Sequence, residues 1–189
     1  MNALNDLQLS NVYPFSIIDI ESSGLQSRSH PIEVGVVMAD DRRYEALLRP
    51  TPEWTHWDPE AEKLHGISQT QLLAEGIDIR LVCARLNDLC WRQTLYSDCW
   101  TYDSRWLQHL FATAGMPMKF RCSALENVLT EHEIREWTER KRRCHSALRL
   151  PPHRALNDAL AIATTVDELI TERSLMQSVM PSKRAHACL

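Results

Sequence analysis

A surplus of positive charge is the first thing this 189-residue sequence lacks. Its 21 lysines and arginines face 25 aspartates and glutamates, for a formal net charge of −4. Domains that coat nucleic acid through charge alone are strongly basic, so that class is excluded. An enzyme that grips a strand end through bound cations is not excluded, because a carboxylate cluster takes up its cations before a phosphate approaches. The six cysteines, at positions 83, 90, 99, 122, 144 and 188, contain no C-x-x-C pair, and Cys144-His145 lacks zinc-site spacing. Several lie in apolar stretches and read as buried thiols of a reducing compartment. The opening MNALNDLQLS has no basic region followed by an apolar run, so no signal peptide is expected. Apolar runs fall far short of a membrane span, and Cys188 sits in the wrong place for prenylation. A cytoplasmic protein is the expectation.

What is present is enough apolar sequence, 44%, for a real core in one domain of ordinary size. FSIIDI (15–20), IEVGVVM (32–38) and RYEALLR (43–49) read as three strands in an antiparallel meander, separated by turn-rich segments. Proline and tryptophan break the pattern at 50–59. Leu81, Val82, Leu86 and Leu89 then mark a helix between Gly76 and Gln93. A strand at 94–98 precedes a helix through Trp106, Leu107, Leu110, Phe111 and Ala114, stopped by Gly115 and Pro117. Residues 119–122 suit a fifth strand, 123–147 a mostly polar helix, and 154–173 a last amphipathic helix. The fold class is therefore α/β, a mixed five-stranded sheet flanked by helices. Residues 174–189 show no clear pattern and read as a poorly ordered tail.

Asp19 and Glu21 stand one residue apart at the end of the first strand, so their side chains share a face, about 7 Å apart at the backbone. Two acids beside so apolar a strand repel each other and resist desolvation, and a divalent cation removes the conflict. For an isolated Asp-x-Glu, a very common pattern, a strand end where both acids simply reach water is the better reading. Asp103, after the fourth strand, reads alone as a helix N-cap. His153 and Asp158 follow Pro151-Pro152. Five helical residues turn through about 500°, so both side chains cannot converge from mid-helix. His153 is better placed in the extended entry segment and Asp158 on the helix between Ala155 and Ala159.

Taken in order, IIDIESSGL (17–25), IEVGVV (32–37), LHGIS (64–68), YDSRWL (102–107) and HRALNDA (153–159) resemble the DEDDh, or DnaQ-like, 3′–5′ exonucleases of ribonuclease H-like fold. Two departures stand out: Ser22 and Ser23 replace the usual threonines, and Cys99 stands where the family has asparagine. The resemblance implies an exonuclease domain over 1–173. It implies Mg²⁺ or Mn²⁺, two ions, held by Asp19, Glu21, Asp103 and Asp158, with His153 as the general base. Histidine suits that role because its ordinary pKa, about 6.5, lies near working pH. Ser22, Ser23, Gly24, Leu25 and His65 become candidates to contact the terminal nucleotide. The implied partner is a single-stranded DNA or RNA 3′ end, with a homodimer or a polymerase or repair partner left open. A catalytically silent binding module and a proofreading accessory subunit are the competing readings. The run Arg140-Lys141-Arg142-Arg143, preceded by four glutamates, reads as a solvated helix face in preference to a phosphate track. The six tryptophans read mostly as core or partner interface.

Overall fold

β-branched residues crowd the first two of three successive strand segments, and in the computed structural model, which describes residues 12–179, all three form the meander. β1 (Ser16–Ser22) pairs antiparallel with β2 (Pro31–Val37), and β2 with β3 (Arg43–Leu47). β4 (Thr94–Ser97) and β5 (Arg121–Ala124) extend the sheet in parallel, giving the order β3-β2-β1-β4-β5. The mixed five-stranded α/β sheet expected from the sequence is therefore the observed fold. β5 lies two residues later than expected, because Lys119 closes the preceding turn by accepting from Arg92 N–H.

Between β3 and β4 come α1 (Pro59–His65), α2 (Gln69–Glu75) and α3 (Ile79–Leu89). The first two were not resolved by periodicity, being only two turns each. Their signals are local: Asp58 and Ser68 cap them by accepting from Glu60 and Gln71 N–H, and Pro59 sits at a first-turn position. α4 (Trp100–Ala114) follows β4. The polar stretch after β5 divides into a short 3₁₀ turn, Leu125–Asn127, and α5 (Glu131–Leu148), which starts at a Thr130–Glu133 capping box. α6 (Ala155–Val179) runs six residues beyond Arg173, so the start of the supposed tail continues the helix; residues 180–189 lie outside the described residues, as do Cys188 and the N-terminal segment.

The sheet separates two cores. Ile18, Ile20, Val34 and Val36 pack with Val82 and Leu86 of α3 and Leu107 and Leu110 of α4. Ile17 and Val37 pack on the other face with Ala159, Ile162, Ala163 and Val166 of α6. Each fully buried aliphatic side chain contributes about 1.5–3 kcal/mol. Strand alternation puts Asp19 and Glu21 on the α6 face with Ile17. Among the described residues, no helix is long and apolar enough to cross a membrane.

Candidate metal centre

The end of β1 and the start of α6 are brought together by a missing side chain. Asp19 is the cross-strand partner of Gly35 on β2. A Cβ at Gly35 would fall 2.2 Å from the Ala155 carbonyl carbon, so the first turn of α6 lies directly on the strand there. Glu33, buried and opposite Glu21, completes the dock. It accepts from Arg154 (Nη2 to Oε1, 2.6 Å) and from the Ala155 N–H (2.8 Å), capping α6 and holding the residue after His153. His153 itself adopts φ 61°, a left-handed turn ahead of the helix. The sequence placed it before the helix but in extended backbone; the structure places it in this turn instead.

As a result, Glu21, His153 and Asp158 each offer a ligand atom within 4.8 Å of the others. Asp19 and Asp103 stand outside that tight triad but close enough to act on it. Burial first, then the charges of Asp103, Asp158 and Glu21, holds the Asp19 carboxyl well above its ordinary range. Burial, then Asp158 and Glu33, pushes Glu21 up to about 8, with Arg154 opposing. Asp103, 2% exposed, is pushed up to about 7 by burial, although the hydroxyl of Ser97 donates to it and the Ile20 N–H favours its ionised form. It does not cap α4: that helix begins three residues earlier at Trp100, after Cys99. The cap reading fails because Asp103 lies one turn into the helix, turned inward to Ser97. A group of carboxylates that resists ionisation this strongly, with an imidazole beside it, suits hard divalent cations that prefer oxygen ligands.

A register shift between Glu21 and Ser22 re-aims the end of β1. Beyond it lies a cavity of about 350 Å³, lined by Glu21, Ser22, Gly24, Leu25, Asp58 and His65 among others. Gly24 holds φ 142°, and a Cβ there would meet Asp58 Cβ at 2.9 Å. Leu25 is exposed at the rim. The Ser22 hydroxyl donates to Gly24 O. Ser23 behaves differently from the other candidates: its hydroxyl is engaged with His30, accepting from the His30 backbone N–H and lying 3.2 Å from Nδ1. His65 Nδ1 accepts from Ile67 N–H, which orients the ring along the cavity.

Sequence reasoning missed the other wall. Asp98, at the end of β4, accepts from Trp137 Nε1 (3.0 Å) and Lys141 Nζ (2.5 Å), both on α5. His145 Nε2 lies 2.9 Å from Asp158 Oδ1 without hydrogen-bond alignment, and both its ring nitrogens are buried with no hydrogen-bond partner among the described residues. The signal was the four-residue spacing of Trp137, Lys141 and His145, which puts them on one helix face. The basic run thus divides: Arg142 and Arg143 stay on the outer surface with Glu139, Arg140 binds Glu136 and Glu172, and Lys141 turns inward.

Neither a protein-family model nor a curated protein matches the chain. Solved structures do. Escherichia coli exonuclease I in complex with a dT13 oligonucleotide superposes with a TM-score of 0.65 at 12% identity, over 87% of this chain and 42% of that one. A zinc-bound form of the same enzyme with single-stranded DNA gives 0.63 at 13% identity, over 87% and 42%. A further exonuclease I structure gives 0.63 at 15% identity, over 86% and 45%. The chain spans less than half the length of these solved proteins. What is shared is the fold.

Proposed function

We propose that the chain is a metal-dependent 3′–5′ exonuclease of the DEDDh type, which shortens single-stranded DNA or RNA and releases nucleoside 5′-monophosphates. The observation that carries this reading is the convergence of Glu21, His153 and Asp158, with Asp19 two positions from Glu21 on the same face of β1, in a fold shared with a nuclease solved on single-stranded DNA. Asp19, Glu21, Asp103 and Asp158 would hold Mg²⁺ or Mn²⁺ as a pair. Bound there, the ions would supply the charge that activates water and steadies the departing 3′ oxygen.

The chain's own groups do the rest. His153, in a turn fixed by the Arg154–Glu33 pair, takes the proton from the attacking water. The cavity beside Glu21 receives the terminal nucleotide: Leu25 packs on the base and His65 lines the wall, while Gly24 lets the turn close against Asp58. Ser22 and Ser23 support that turn through their bonds to Gly24 and His30.

The test is a 5′-labelled single strand, DNA and RNA in parallel, with Mg²⁺, Mn²⁺ or chelator. A ladder receding from the 3′ end, absent with chelator and in Asp19→Ala, is expected. Binding without shortening under either metal would replace this reading with a silent binding module. His153→Ala is expected to retain metal affinity by calorimetry and lose about 10²–10⁴-fold in turnover. Unchanged turnover would remove its role as base.

A further inference from the structure

Three side chains of α5 face the carboxylates at successive turns: Trp137 and Lys141 meet at Asp98 Oδ2, and His145 meets Asp158. Lys141 is the unusual one. An ammonium has three donors, and among the described residues only Asp98 accepts from this one. The side chain stays 28% exposed, while Asp98 is held at 10%. Its bond to Asp98, the residue that also accepts from Trp137, turns the head group to the inner side of α5 and away from the outer face that carries Arg142 and Arg143. Arg154, the other cation acting on the centre, is committed to Glu33.

We propose that Lys141 is a phosphate-contacting residue: its spare donors meet the phosphate of the strand lying across the carboxylates, while Asp98 fixes the ammonium in place. The inference rests on the nuclease reading for the identity of the strand. A plainer role is a staple, in which Lys141 only neutralises Asp98 and pins α5. The two roles separate in a double substitution. Removing both charges leaves no unpaired buried charge, so a mere staple is dispensable once its partner is gone. A phosphate contact stays lost.

The experiment measures binding of a short oligothymidylate by fluorescence anisotropy, in Ca²⁺ and in chelator, across a series of salt concentrations. The proteins are full-length wild type, Lys141→Met, Lys141→Arg and the Asp98→Asn/Lys141→Met double variant. Each phosphate neutralised on a single strand contributes about 0.7 to the slope of log affinity against log salt. Lys141→Met is expected to bind about tenfold more weakly, the scale of a charge-assisted hydrogen bond. Its slope should be shallower by about 0.7. Lys141→Arg should keep the slope, and the double variant should stay as weak as Lys141→Met. Wild-type affinity and slope in the double variant would overturn the proposal and leave the staple. If Lys141→Met fails to fold, the double variant alone decides. A wild-type protein that binds the strand without shortening it would remove the nuclease reading, yet the same slopes would still settle whether Lys141 meets phosphate.

Discussion

The two walls of the centre are built in opposite ways. On one side β1, β2 and the start of α6 meet through backbone: Gly35 admits Ala155, and Glu33 caps the helix while gripping Arg154. On the other side α5 stands back and reaches in with long side chains, Lys141 to Asp98 and His145 to Asp158. α5 is also tied to α6 by the ion pairs Arg140–Glu172 and Arg173–Glu133, in each of which one partner is largely buried. The first wall fixes positions by direct backbone contact. The second supplies charge, with more freedom to adjust. A rigid wall for the groups proposed to hold metal and move a proton, and an adjustable one for the groups proposed to meet a strand, is the division of labour that chemistry would need.

The sharpest way to break this comparison is Gly35→Val. With α6 backbone 2.2 Å from where a Cβ would stand, the helix must lift off the strand. A loss of about 3 kcal/mol or more is expected in urea unfolding, together with loss of activity. A variant as stable as wild type would mean that the dock is soft. Glu33→Ala comes next. It leaves Arg154 unpaired and the Ala155 N–H uncapped, at a cost of about 2 kcal/mol by the same measurement. Turnover should fall further than stability, because His153 is the neighbour of Arg154; equal stability and full turnover would show that the pair is idle.

A smaller effect follows from the raised carboxyls of Asp19, Glu21 and Asp103. A carboxyl whose folded value lies above its unfolded one keeps its proton longer in the native state. Its penalty is absent below the ordinary carboxylate range, about 4, and grows as pH rises through the folded values of about 7 to 8. The chelated protein should therefore lose Tm between pH 5 and pH 8. Mn²⁺ should restore Tm by more at the upper end, where the ligands are ionised. A metal effect equal at both ends would disconnect the carboxylates from the ion. The smallest effect belongs to Arg142→Ala/Arg143→Ala on the outer face of α5, whose partner Glu139 is itself exposed. Stability within about 0.5 kcal/mol of wild type is expected. A clear loss would return the whole basic run to the functional surface.

The contrast between the walls also explains what could be read in the sequence. Strand alternation puts Asp19 and Glu21 on one face and small neighbours flank Asp158 on its helix, but each pattern is weak alone, and the resemblance of the motifs taken in order along the chain is what nominated them. Asp103 was nominated by the same resemblance, since its place after β4 alone reads as a helix cap, and its burial against Ser97 could not be seen, because that contact closes only when β4 and α4 turn inward together. Gly35 gave a signal, a lone glycine in an apolar strand, which marks a close backbone approach. Lys141 and His145 gave almost none. Their four-residue spacing with Trp137 sets them on one helix face, but only packing of α5 beside α6 decides that this face looks in. Similarly, α1 and α2 announce themselves by caps and not by periodicity, because two turns are too short to show a repeat.

The central claim is hydrolysis at a strand's 3′ end, and its most direct measurement is the product itself. Wild-type protein, Mn²⁺ and a single strand in heavy-oxygen water should yield nucleoside 5′-monophosphates, each with one heavy oxygen on its phosphate by mass spectrometry. Asp19→Ala should yield none. Release of oligonucleotides, of 3′-phosphates, or of nothing at all would contradict the account.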